Sequence, residues 1–133
     1  MEILKPESWK SPIGYSNGIK VPLSGYAVFI AGQVGWNADQ IFESEQLLPQ
    51  FEQALINVLT ILAEAGGKPQ DICRITAFCS DKPEYLRVRG ELGAIWREHM
   101  GKHFPAMSMI FVSDLLDHPG KIELEATAVI AAQ

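Results

Sequence analysis

A change of period constrains the fold more than any other feature of this chain. Leu48, Phe51, Leu55, Val58, Leu62 and Ala65 recur at steps of three and four, the stripe of an amphipathic helix. The run stops at Gly66-Gly67, where a left-handed cap fits. From Asp71 to Ser80 the step becomes two: Ile72, Arg74, Thr76 and Phe78 alternate with Cys73, Ile75, Ala77 and Cys79, and the second set is the drier. A striped helix beside an alternating strand buries its apolar side only by packing on a sheet, so the chain calls for helix-on-sheet layers.

The other elements follow from the same reading. Residues 1 to 14 hold Pro6, Pro12 and Gly14 without a sustained period, an irregular lead-in. Tyr15 to Leu23, the turn Ser24-Gly25 and the apolar run Tyr26 to Ala31 suggest a hairpin whose second strand is buried on both faces. Gly32 to Asp39 then reads as a loop. Asp81-Lys82-Pro83-Glu84 opens a second helix, with Asp81 as N-cap, and this helix runs to about Met100. Gly90 and Gly93 inside it call for a close approach to the sheet. Strands over Pro105 to Val112 and Lys121 to Ala131 are joined by the turn Asp117-His118-Pro119-Gly120. The expected fold class is α+β, a single domain over residues 1–133 with two helices covering one sheet face. The other face, carrying Arg74, Thr76, Phe78, Glu123, Glu125 and Thr127, is too apolar for water and too polar for a core. A symmetric homo-oligomer would bury it and place ligand clefts between subunits.

Charge and motifs remove several function classes. A net charge of −5 argues against a broad nucleic-acid or anionic-lipid footprint. The N-terminus has no continuous apolar leader and no run spans a bilayer, so a cytoplasmic protein is expected. Cys73 and Cys79, six positions apart on one strand, would stand about 20 Å apart and remain reduced. The chain holds no phosphate-binding loop, H-E-x-x-H, paired C-x-x-C or G-x-S-x-G. His99 and His103 read better as a helix-end surface pair than as metal ligands, because Gly101 and Pro105 break the helix around them.

Tyr15, Gly32-Gln33 after the buried strand, Phe104-Pro105-Ala106-Met107 and Glu123 remain. The order Pro105-Ala106-Met107, an apolar strand ending at Leu115, a short turn and then Ile122-Glu123-Leu124-Glu125-Ala126 resembles the Rid family, also called YjgF or UK114 proteins. The resemblance spans roughly Pro12 to Ala131, including Phe29-Ile30-Ala31-Gly32-Gln33 and the helix Phe51 to Gly66. It implies a chorismate-mutase-like (Rid) fold, a homotrimer with a small-molecule ligand in each intersubunit cleft, and no metal or cofactor. Deaminase members hydrolyse reactive imines and enamines derived from amino acids.

Residue by residue, Tyr15 matches the family's site tyrosine, Gly32 the glycine whose backbone faces the ligand, and Glu123 the acidic residue beside the attacking water. Gln33 and Pro105 flank the same substrate-binding positions, Ala31 stands where many members have serine, and Arg89 where some have asparagine. The main departure is Met107, which occupies the position of the arginine that grips the substrate carboxylate in the deaminase subfamily. A thioether cannot replace that fork, so the usual 2-imino acids are disfavoured unless Arg89, Arg74 or Lys121 supplies the cation. The expectations are a hydrolase for a non-standard imine or enamine, or a non-catalytic trimer that binds a metabolite or partner. A ribonuclease or translation inhibitor is a distant third, because no aromatic-basic stripe is present.

Overall fold

The computed structural model describes residues 1–132. Its main sheet has four strands in the order β3-β6-β4-β5: β3 Tyr26–Val34, β4 Ile72–Cys79, β5 Ala106–Phe111 and β6 Ile122–Ile130. β6 runs antiparallel to both β3 and β4, whereas β4 and β5 are parallel. A parallel pair needs a crossover, and the segment from residue 80 to 105, with helices α2 Lys82–Val88 and α3 Leu92–Met100, supplies it. Helix α1, Leu47–Glu64, packs on β3 and β6. The fold is thus α+β, a mixed sheet with helices on one face. No helix is long and apolar enough to cross a membrane among the described residues.

The core lies between that face and the helices. Phe51, Leu55, Val58 and Leu62 from α1 meet Ile75 and Ala77 of β4 and Ile122, Leu124 and Ala126 of β6. Leu47 is the buried residue at the head of the stripe, while Leu48 is half-buried and Ala65 exposed. The helix ends as expected: Gly66 has φ +81°, its N–H reaches the Ala63 carbonyl at 2.9 Å, and the Gly67 N–H reaches that of Leu62 at 3.0 Å. No side chain of its own segment caps its N-terminus. Glu84 of α2 instead accepts from the Leu47 N–H at 2.6 Å and pairs with Lys121 Nζ at 2.5 Å, placing a carboxylate on the positive end of the helix dipole. Asp81 is the N-cap of α2, accepting from the Glu84 N–H at 3.0 Å.

Seven expectations need correction. The lead-in is partly regular, since Glu2–Leu4 (β1) pairs antiparallel with Gly18–Lys20 (β2), setting Ile3 against Ile19. β2 therefore forms no hairpin with β3. β3 is not buried on both faces: Tyr26 is 74% and Phe29 80% exposed. It also runs on through Gly32 and Gln33 to Val34, with an irregularity in register between Ile30 and Gln33 where a loop was expected. A second irregularity, between Ile72 and Arg74, turns Ile72 into the core and leaves Cys73 half-buried, away from the buried Cys79. The second helix is interrupted by a 3-10 turn at Arg89–Glu91, and a Cβ added at Gly90 or Gly93 would meet no atom of the sheet within 4 Å, so no close approach to the sheet requires either glycine.

Candidate functional site

Pro105 is fully buried and anchors the entrance of β5. Its carbonyl accepts from the Ser16 N–H at 3.1 Å, and Ser16 Oγ donates to the Phe104 carbonyl at 2.5 Å. This clamp brings Tyr15 beside the first residues of β5, so Pro105 positions its neighbours while its own ring is out of reach of a ligand. Two residues on, Met107 stands opposite Ile75, and Met109 opposite Ala77. Ile75 and Ala77 are core residues, so strand alternation sends Met107 to the helix side of the sheet.

A cavity of about 820 Å³ lies there. Met107 and Met109 form part of its wall, with Tyr15 and Arg89 among the other lining groups. Trp96 and Phe104 add an aromatic surface, their rings parallel within 6° and 6.3 Å apart. Trp96 is fixed by its indole N–H, which donates to the His103 carbonyl at 2.9 Å. Tyr85 also lines the hollow, and burial holds its phenol above the ordinary value.

Glu123 lies on the opposite side. It is in register with Phe78, and Glu125 with Thr76, while Ile122 and Leu124 on either side of Glu123 are buried in the core. Glu123 consequently faces the open side of the sheet, where it leans against Gly32: a Cβ at Gly32 would meet the carboxylate, lying 2.8 Å from its carboxyl carbon. Gly32 is needed for that approach. Partial burial, with Asp117 and Glu125 nearby, pushes the Glu123 carboxyl above its ordinary pKa. Gln33 follows Gly32 in β3, its side-chain amide donating to the Ala31 carbonyl at 3.0 Å. Farther along the open face, a hollow of about 550 Å³ is lined by Phe29, Ala31, Arg74, Thr76, Glu125 and Thr127.

Within one chain the expected site residues therefore form two sets separated by the sheet. Tyr15, Arg89 and Met107 share the helix-side cavity, whereas Gly32 and Glu123 meet on the other side; Gln33, next in β3, is in register with the core residue Leu124 and does not join them. Of the cations considered as substitutes for the missing arginine, Lys121 is engaged by Glu84 at 2.5 Å and Asp81 at 3.8 Å, and the Glu84 hydrogen bond raises its pKa. Arg74 is on the open face. Only Arg89 shares the cavity of Met107, accompanied by Arg97 and Lys102, which the sequence patterns did not single out. The signal was available as helical spacing, because Arg97 follows Arg89 by eight positions on one largely helical run.

The remaining candidates are structural. His99 and His103 are not a pair: His99 Nε2 meets Glu52 at 2.8 Å, linking α3 to α1, and His103 Nε2 meets the Ile72 carbonyl at 2.6 Å. Glu98 approaches the same His99–Glu52 pair, whose ring nitrogen and carboxylate already satisfy each other by a hydrogen bond. Both cysteines are free, and burial raises both thiols, which disfavours the reactive thiolate.

Comparison with known proteins is consistent across sequence and structure. The family model described as endoribonuclease L-PSP matches residues 7–130. The 2-iminobutanoate/2-iminopropanoate deaminase of Salmonella typhimurium is 34% identical over 105 residues, covering 79% of this chain and 80% of that protein. The crystal structure of the Rid protein YyfB from Yersinia pestis superposes with a TM-score of 0.84 at 32% identity, covering 97% of this chain and 98% of the other. TdcF of E. coli, solved with bound serine, gives a TM-score of 0.70 at 26% identity over 98% of this chain and all of TdcF.

Proposed function

The chain belongs to the endoribonuclease L-PSP family, the Rid or YjgF proteins, and from that membership we propose that it hydrolyses a reactive imine or enamine in clefts between the subunits of a homotrimer. Imine deaminase activity is named among its relatives. The observation that carries the proposal to this chain is Glu123, pressed against Gly32 with its carboxyl raised toward the range useful for proton transfer. Each cleft would combine Glu123 and Gly32 of one subunit with Tyr15, Arg89 and Met107 of the next, a reading supported by the placement of the two sets on opposite sides of one sheet.

In the proposed reaction the imine nitrogen is protonated, and Glu123 accepts a proton from water as the water oxygen adds to the C=N carbon, giving a neutral carbinolamine. The carboxyl then returns that proton to the amine nitrogen, the C–N bond breaks as the hydroxyl becomes a carbonyl, and the hydroxyl proton passes to the departing ammonia, so that ammonium and a carbonyl product leave with the carboxylate restored. The Gly32 backbone would lie beside the reacting atoms, since no side chain intervenes there. Met107 makes the pocket wall apolar, which suits a larger carbon skeleton than that of a 2-iminopropanoate.

The test is ammonia release from imines generated in place by an amino-acid oxidase. The wild type should accelerate release, and Glu123→Ala should lose about 10²- to 10⁴-fold of the acceleration. Wild-type release no faster than buffer from every imine tried would leave the non-catalytic metabolite-binding trimer as the reading of this scaffold. Gain of activity only in Met107→Arg would have the same consequence.

A further inference from the structure

Met107 removes a cation from the strand, but the helices bring cations to the same cavity. Arg89 comes from the 3-10 turn between α2 and α3, Arg97 from α3 and Lys102 from just beyond its end. Among the described residues, no Asp or Glu lines the cavity. In a chain with 16 acidic and 11 basic residues, three cations without an acid reverse the local charge. Among the described residues, none of the three belongs to an ion pair. The negative end of the α3 dipole would account for Arg97 and Lys102, but not for Arg89 at the opposite end of that helix. The Arg97 guanidinium lies over Gly93, where a Cβ would be 3.5 Å from its Nη1.

The rest of the lining is of the other kind. Trp96 and Phe104 present parallel rings, and Met107 and Met109 present unbranched thioethers that adapt to irregular apolar shapes. A volume of about 820 Å³ is in the range of small-molecule pockets. An uncharged apolar ligand would leave the cations unused, and a small anion would leave the aromatic wall uncovered.

We propose that this cavity binds an amphipathic monoanion, a carboxylate with an aromatic or branched body, held by Arg97 and Arg89 from the helix side instead of by residue 107 from the strand. Planar guanidinium groups suit a carboxylate, and the aromatic wall suits its body. The inference rests on the reading of this cavity as one half of the substrate cleft, and it makes the substrate an imine of an amino acid with a large apolar side chain.

Isothermal titration calorimetry of the intact protein with 3-phenylpropanoate, its neutral amide and acetate tests the proposal without turnover. Saturable binding of the acid is expected, with the amide and acetate at least about tenfold weaker. Arg97→Gln should remove most of the acid's advantage over the amide, Arg97→Lys should restore part of it, and Arg89→Gln should reduce it further. Equal affinity for acid and amide, an advantage unchanged in both glutamine variants, or no binding of any probe at millimolar concentration would overturn the proposal. Preference for the acid without ammonia release from imines sinks the hydrolase reading alone. Ammonia release without that preference sinks only the carboxylate grip.

Discussion

Glu123 and Met107 are separated by a single physical fact, the alternation of a strand. Met107 shares the side of Ile75, and Glu123 shares the side of Phe78. Glu123 is a carboxyl whose surroundings oppose its ionisation, because burial and the neighbouring Asp117 and Glu125 all raise its pKa. A raised carboxyl favours the folded state in its protonated form, and that contribution disappears as pH climbs through the folded pKa. Glu123→Gln should therefore melt higher than the wild type at pH 7 to 8, with the difference shrinking as pH falls through the raised folded value toward the ordinary 4.5 and absent below it. Differential scanning calorimetry across that range checks the sign. A variant that melts lower at neutral pH would mean that Glu123 is held by a favourable partner.

At the scale of elements, glycines separate close packing from open space. Gly35 lies against α1 so closely that a Cβ would be 2.5 Å from Gln50 Cα and 2.6 Å from its carbonyl oxygen, both backbone atoms. Gln50 is itself buried and fully engaged, donating to the carbonyls of Ser44 and Pro119 and accepting from the Lys121 N–H, so the helix cannot retreat without loss. Gly35→Ala should lower stability by about 1–3 kcal/mol in urea denaturation. Gly90→Ala meets nothing within 4 Å and should be neutral or stabilising by up to about 1 kcal/mol. The reverse ranking would place the tight helix-sheet contact in the α2–α3 region. The 3-10 turn at Arg89–Glu91 brings Arg89 to the cavity rim, a role for the break that a continuous helix would not supply.

At the scale of the molecule, one sheet face is covered by helices and the other carries Phe29 at 80% exposure beside Arg74 and Glu125. An aromatic ring among charged neighbours on an open sheet suits a protein interface better than water. The proposed trimer predicts a solution mass three times the 14.7 kDa of one chain. Phe29→Glu should lower that mass while leaving the circular dichroism of the fold unchanged, since the ring makes no core contact within its own chain. A wild-type mass of 14.7 kDa in sedimentation equilibrium would remove the intersubunit cleft.

Periodicity alone determined the α+β class, the stripe of α1 with its Gly66 cap, the Asp81 cap of α2 and the two-faced strands β4 and β6, because each depends on local repeat and local backbone preference. The residue pattern from Pro105 to Ala126 identified the family and the departure at Met107. Tertiary structure decided what depends on distant segments. Pairing assigned β2 to β1, and register irregularities beside Ile30 and Ile72 redirected side chains that simple alternation places otherwise. The crossover from β4 to β5 carried Arg97 and Lys102 to the cavity of Met107, more than twenty positions from the nearest strand β4 residues in sequence for Lys102. Sequence patterns record which face a residue shares with its neighbours along the chain. Only the assembled sheet showed that Met107 and Glu123 face opposite ways, which is why the proposed site draws on more than one chain.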